Sequence, residues 1–275
     1  MQNNKNLSFY MTFLATLKNY LSISNASLDD IMLNFDLPTQ VMQKIQGASL
    51  CNFQLNRMCN ILEYVLSPLS TSTPKSECYD PLHLISELSK TFSRTVSGYI
   101  PVNSTCYTKV PLPFPVTVNK AKFELVFLNL LYCSIRCADK LPIRKANLTF
   151  YVTENKKSII FHLRDNGEHI DPKIIQAIFS QKPIRLDYEN ITESIIALSL
   201  EAAVKAAKEL GGELLYKELK GGNRFDVSLP KNANIPSRVM KSLSVYTPTY
   251  PYYDEIFADI LLEVNMSKSK GGTQQ

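Results

Sequence analysis

The chain has 275 residues, 45% of them hydrophobic and 20% charged, a globular composition that excludes wholesale disorder, a collagen-like fibre and a coiled-coil rod. Its 30 basic and 25 acidic residues leave a net charge of +5 with no block of five like charges, so neither a nucleic-acid arm nor a polybasic membrane patch is expected. Tryptophan is absent, and the three histidines are His83, His162 and His169.

At the front, Tyr10, Phe13, Leu14, Leu17, Tyr20 and Leu21 recur at helical spacing and form one apolar face. The Leu7 to Leu17 run could pass for a leader core. It has one lysine before it and no small-residue cleavage site after it, so it is read as a helix. Ser27 followed by Asp30 resembles a capping box that opens a short new helix through Phe35, and Leu37-Pro38 ends it. From Thr39, the series Val41, Ile45, Ala48, Cys51, Leu55, Met58, Leu62 and Val65 is a heptad seam that stops before Ser67-Pro68. Burying such a seam calls either for a second copy, giving a four-helix bundle, or for packing on the rest of the chain. The Ser, Thr and Pro-rich stretch 67–77 reads as a linker.

An amphipathic helix follows from Asp80 to Ser97, then extended runs broken by prolines over 104–118, then a helix capped by Asn119. The apolar part of that helix, Phe123 to Cys133, is about half the ~20 residues of a membrane span and contains Glu124 and Asn129. Strands are predicted at 147–153 and 158–163, a helix from Pro172 to Phe179, a helix from Leu198 to Leu210 ending at Gly211-Gly212, and strands at 213–218 and 224–229. The whole reads as α+β: a helical hairpin (1–70), an α/β sandwich of one sheet under one helical layer (77–231), and a C-terminal extension (232–275). In that extension Tyr246, Tyr250, Tyr252 and Tyr253 precede an amphipathic stretch with Ile256, Phe257, Ile260 and Leu261, which either packs on its own chain or recruits a partner; 268–275 reads as disordered. The six cysteines lack CxxC spacing and read as reduced thiols of a cytoplasmic protein. Cys133 and Cys137 alone, one turn apart, do not make a metal site.

Four blocks in the sandwich, taken in order, resemble the ATP-binding (Bergerat-fold) domain of the histidine kinase family. The helix from Asn119 through Asn129 to Cys133 is similar to its N box, and Asp165-Asn166-Gly167-Glu168-His169 to its first glycine box. Ala197-Leu-Ser199-Leu stands in the place of its second glycine box, and Lys220-Gly221-Gly222 precedes a strand as in its last glycine turn. The resemblance implies that Asp165 accepts a hydrogen bond from adenine, with Asn166 and Gly167 beside it and Asn129 facing the nucleotide. By itself, Asp165-Asn166-Gly167 also reads as a tight turn.

The departures bear on each part of such a site. Cys133 replaces the asparagine that would supply an oxygen to Mg²⁺, a cation that prefers hard oxygen donors. His169 replaces a glycine, putting a side chain where the nucleotide would pass. Ala197 and Ser199 replace the two glycines whose bare N–H groups would cradle phosphate. Lys182 and Arg185, in the glycine-free stretch where relatives carry a lid, either meet phosphates or are solvated surface charges.

The front hairpin resembles the family's dimerisation and phosphotransfer domain, whose histidine would fall near Met11 to Ala15. None of the three histidines lies there, and Thr12 and Thr16 have no evident base. The resemblance with these departures implies a degenerate member acting through a response regulator or partner kinase, dimeric through its hairpin. No catalytic residue, bound metal or obligatory cofactor is then expected, and ATP or ADP binding with impaired Mg²⁺ coordination is the most the pocket implies. The alternatives are a kinase with an atypical site acting on histidine or on serine or threonine, a phosphorelay phosphotransferase, and a sensor of a small ligand.

Overall fold

The computed structural model describes residues 2–67, 76–110, 115–180, 190–231, 243–249, 253 and 256–261, which form two compact units. The proposed lid residues Lys182 and Arg185, most of the 67–77 linker, Tyr250, Tyr252 and the 268–275 end lie outside the described residues.

The first unit holds the hairpin and residues 256–261. Helix α1 runs Gln2–Asn34 and α2 runs Thr39–Leu66. The expected break at Ser27 is absent: its hydroxyl donates back to the Ile23 carbonyl at 3.0 Å, so the Ser27 and Asp30 spacing is an interior feature of one long helix. Pro38 ends the turn and stands immediately before α2, where its fixed φ suits a helix start. The hairpin's own core is small. Leu14, Leu21 and Cys59 are buried, with Leu17 and Leu62 packed against them, and a Lys18–Glu63 ion pair at 2.9 Å ties the two helices. Farther along α2, the buried Arg57 guanidinium donates to the carbonyl of Ile256.

The second unit carries a five-stranded sheet in the order β2 (Val102–Thr108), β4 (Ala146–Glu154), β5 (Ser158–Arg164), β7 (Gly222–Pro230), β6 (Glu213–Leu219), after a short β1 (Glu77–Tyr79) paired antiparallel with β3 (Val116–Val118). The pair β2–β4 is parallel and the other neighbours are antiparallel. Strict alternation along β5 sends Ile159, Phe161 and Leu163 into the core. Phe161 there meets Phe123 and Phe127 of α4 (Lys120–Asp139) edge-on, at 5.4 and 5.7 Å between ring centres. Three further helices complete the layer: α3 (Pro81–Val96), α5 (Pro172–Phe179) and α6 (Ile191–Glu209), with α6 packed on α4 and joined to it by a largely buried Lys122–Glu209 pair at 2.6 Å.

Helix starts follow local chemistry. Asp80, Asn119, Asp171 and Asn190 each accept a hydrogen bond from a first-turn N–H of α3, α4, α5 and α6, caps worth about 1 kcal/mol apiece. The expected start of the last helix at Leu198 is corrected by this pattern. Asn190 takes the N–H of Glu193, so α6 begins at Ile191 and already contains Ala197 and Ser199. The α+β architecture of hairpin plus one-sheet, one-helical-layer sandwich is otherwise as the sequence predicts.

Candidate functional site

The segment Asp165-Asn166-Gly167 leaves the end of β5 and runs against the C-terminal half of α4. Gly167 permits that approach: a Cβ there would lie 2.6 Å from Cys137 Cβ and 2.8 Å from the Ala138 nitrogen. The resemblance assigns this glycine to a base, whereas the neighbour it accommodates is the α4 backbone. Glu168 N–H then closes the contact by donating to the Cys137 carbonyl at 3.0 Å. Burial pushes the Cys137 thiol well above its ordinary pKa, leaving it an inert core group.

Asp165 is buried, and its carboxylate is already engaged. Ser134 Oγ donates to Oδ2 at 2.7 Å. Oδ1 accepts from the Gly167 N–H at 2.9 Å, from Asn223 Nδ2 at 2.8 Å and from the Asn223 N–H at 3.3 Å. Burial raises its pKa, against the opposing effect of these hydrogen bonds from Ser134, Asn223 and Gly167. Asn223 is itself saturated: its Oδ1 accepts from Tyr216 OH at 2.7 Å, and Nδ2 also donates to the Glu168 carbonyl at 3.0 Å. Burial lifts the Tyr216 hydroxyl to a pKa of about 12, so it remains a donor. Gly222, at φ 149°, lets β7 pass directly over Asp165, since a Cβ would stand 1.9 Å from the Asp165 carbonyl oxygen. Ser134 and Asn223 are the hydrogen-bonding neighbours of Asp165 that sequence reading missed. They stand 31 and 58 residues from Asp165, beyond any local pattern.

The remaining expected site residues are dispersed. Asn166 faces β4, accepting from the Asn147 N–H at 2.7 Å and donating to the Lys145 carbonyl at 3.0 Å. Asn129 is buried, with its amide donating to the Leu125 carbonyl of its own helix at 2.8 Å. His169 is the residue that the resemblance sets in the path of a nucleotide. Its ring is 39% exposed, with Glu218 Oε1 2.9 Å from Nδ1 and the Leu219 carbonyl 3.0 Å from Nε2, so it braces the box against the end of β6. Cys133 is fully buried and its thiol meets the Ile196 carbonyl at 3.6 Å. Ala197 and Ser199 are buried inside α6, where their N–H groups belong to the helix ladder and not to an open loop.

Among solved structures, full-length ShkA, crystallised with AMPPNP, is similar over 82% of this chain and 45% of its own, at 15% identity and TM-score 0.56. The chain has the histidine kinase fold. It spans under half of ShkA's length. The histidine kinase AdeS of Acinetobacter baumannii (16% identity, TM-score 0.49, 77% of this chain and 94% of that one) and the nucleotide-free catalytic domain of the histidine kinase ThkA (16%, 0.45, 57% and 97%) are also similar. No protein-family profile and no curated protein matches the sequence. Among the described residues of this histidine-kinase-like chain, no helix is long and apolar enough to cross a membrane.

Proposed function

We propose that the chain is a degenerate, histidine-kinase-like signalling protein that acts by binding a response regulator or a partner kinase, as a homodimer joined through its hairpin, and does not transfer phosphoryl groups. The observation that carries this reading is the set of internal donors already on Asp165. The carboxylate that should read adenine is committed to Ser134, Gly167 and Asn223. Its surroundings support the same conclusion. A buried thiol at Cys133 and a helix drawn through Ala197 and Ser199 make a poor fit to a magnesium nucleotide, which needs oxygen donors and free N–H groups. The hairpin of residues 2–67 contains no histidine to receive a phosphoryl group.

Titration calorimetry of the full chain with ATP and with ADP, each with and without Mg²⁺, tests the pocket. No saturable heat at micromolar nucleotide is expected. Mg²⁺-dependent micromolar binding, or incorporation of label from γ-labelled ATP into the chain or a cognate regulator, would replace this reading with that of an active kinase.

A further inference from the structure

The sheet face turned away from the helices carries a charge pattern unrelated to Asp165. Strand register sets Thr105, Thr149, Arg164, Arg224 and Lys217 side by side in one row across β2, β4, β5, β7 and β6. Arg164 is directly opposite Arg224, and Arg224 directly opposite Lys217. Like charges opposed in this way disfavour the sheet, and here three cations are consecutive. Compensation is thin. Asp226 Oδ2 accepts from Arg224 at 2.8 Å and lies 3.9 Å from Lys217, while its Oδ1 is taken by His162 at 2.5 Å. Arg164 is exposed and has no ion-pair partner among the described residues. Lys109, 4.5 Å over the Tyr151 ring, adds a fourth cation beside the row.

We propose that this row docks an acidic segment of a partner protein, whose carboxylates pair with Arg164, Arg224 and Lys217. The proposal names the chemistry of a partner for the binding role above and rests on that role, but its test involves no nucleotide, so either can fail alone. Charge complementarity carries it: the exposed Arg164 and Lys217, on either side of the half-buried Arg224, are cations that carboxylates stabilise, and arginine can grip a carboxylate with two parallel hydrogen bonds. The neighbouring row argues against a single-stranded nucleic acid. Tyr151 is stacked between Tyr107 at 5.4 Å and His162 at 4.2 Å, nearly parallel to both, so neither of its faces is open to a base. Sites for single strands rely on successive open aromatic platforms.

The test measures fluorescence anisotropy of a labelled ten-residue oligoglutamate peptide with the full chain at low and high salt. Binding that weakens with salt is expected, and Arg164→Ser with Lys217→Ser should weaken it about tenfold. A charge-matched control, Lys44→Ser with Lys208→Ser, should bind as the parent does. Because Arg164 lies among like charges, Arg164→Ser alone should leave the thermal midpoint unchanged or higher. Absent binding, equal weakening by the control pair, or tighter binding of oligothymidylate than of the peptide would overturn the proposal. A lowered midpoint for Arg164→Ser would assign that residue to the fold and overturn it too.

Discussion

Asp165 is a buried carboxylate that accepts from Ser134, Gly167 and Asn223 inside the protein, and its titration should report this. Its folded pKa lies above the ordinary 3.8, with burial as the largest cause. The native state therefore binds this proton more tightly than the unfolded chain does. The stabilisation is complete below the ordinary value and is lost as pH rises through the raised one. Asp165→Asn can keep the bonds to Gly167 and Asn223 and turn an amide N–H toward Ser134, so urea unfolding from pH 4 to 7 should show a flatter stability profile than the parent and no loss at neutral pH. A steep loss at pH 7 would mean that the ionised form is needed. Ser134→Ala removes the donor to Oδ2 and should cost about 1–3 kcal/mol in the same assay. An unchanged urea midpoint would count against that bond. The Asp165-Asn166-Gly167 box is legible in sequence because its residue types are contiguous. Its closure is not, because Ser134 and Asn223 come from other elements.

At the scale of elements, α6 is where the candidate site departs from an open loop. Glycine costs about 1 kcal/mol relative to alanine in a helix interior, so a segment carrying Ala197 and Ser199 favours helix where two glycines would resist it. The Asn190 cap then sets the start. Ala197→Gly with Ser199→Gly should destabilise the chain by about 1.5 kcal/mol in urea, and hydrogen exchange should show lost protection over 191–199 ahead of the rest of α6. Uniform protection in the double variant would show that packing against α4, rather than intrinsic propensity, holds this segment helical. The asparagine at 190 with Glu193 is a start signal present in the sequence. The expectation that this helix starts only at Leu198, within the stretch standing in the place of the second glycine box, obscured it, whereas the equally plausible Ser27 and Asp30 signal lay inside a helix. Caps are thus ambiguous until the flanking periodicity decides whether a helix is starting or continuing.

For the whole molecule, the hairpin leaves its apolar surface unevenly used. On α1, Leu14 and Leu21 are buried, while Phe9, Tyr10, Phe13, Tyr20 and Ile23 are exposed, Phe13 at 55% and Tyr20 at 67%. On α2, the residues buried in the chain are Ser49, Arg57, Cys59 and Ile61, and the heptad members Val41, Ala48, Cys51 and Leu55 remain exposed. The seam was legible as a period but not as a partner, since a repeat states which residues share a face and not what covers it. An exposed aromatic and aliphatic surface of this kind, on both helices of one hairpin, is what a second copy would bury in a four-helix bundle. Light scattering at tens of micromolar should therefore give twice the 31.1 kDa of one chain. Phe13→Glu with Tyr20→Glu should return it to the mass of one chain, because each charge would be stranded at a dry interface. Urea midpoints should rise with protein concentration for the parent and not for the variant, as mass action requires of a dimer. A parent chain that scatters as 31.1 kDa with its aromatic face intact would assign that face to a different protein, and the partner kinase would become the first one to try.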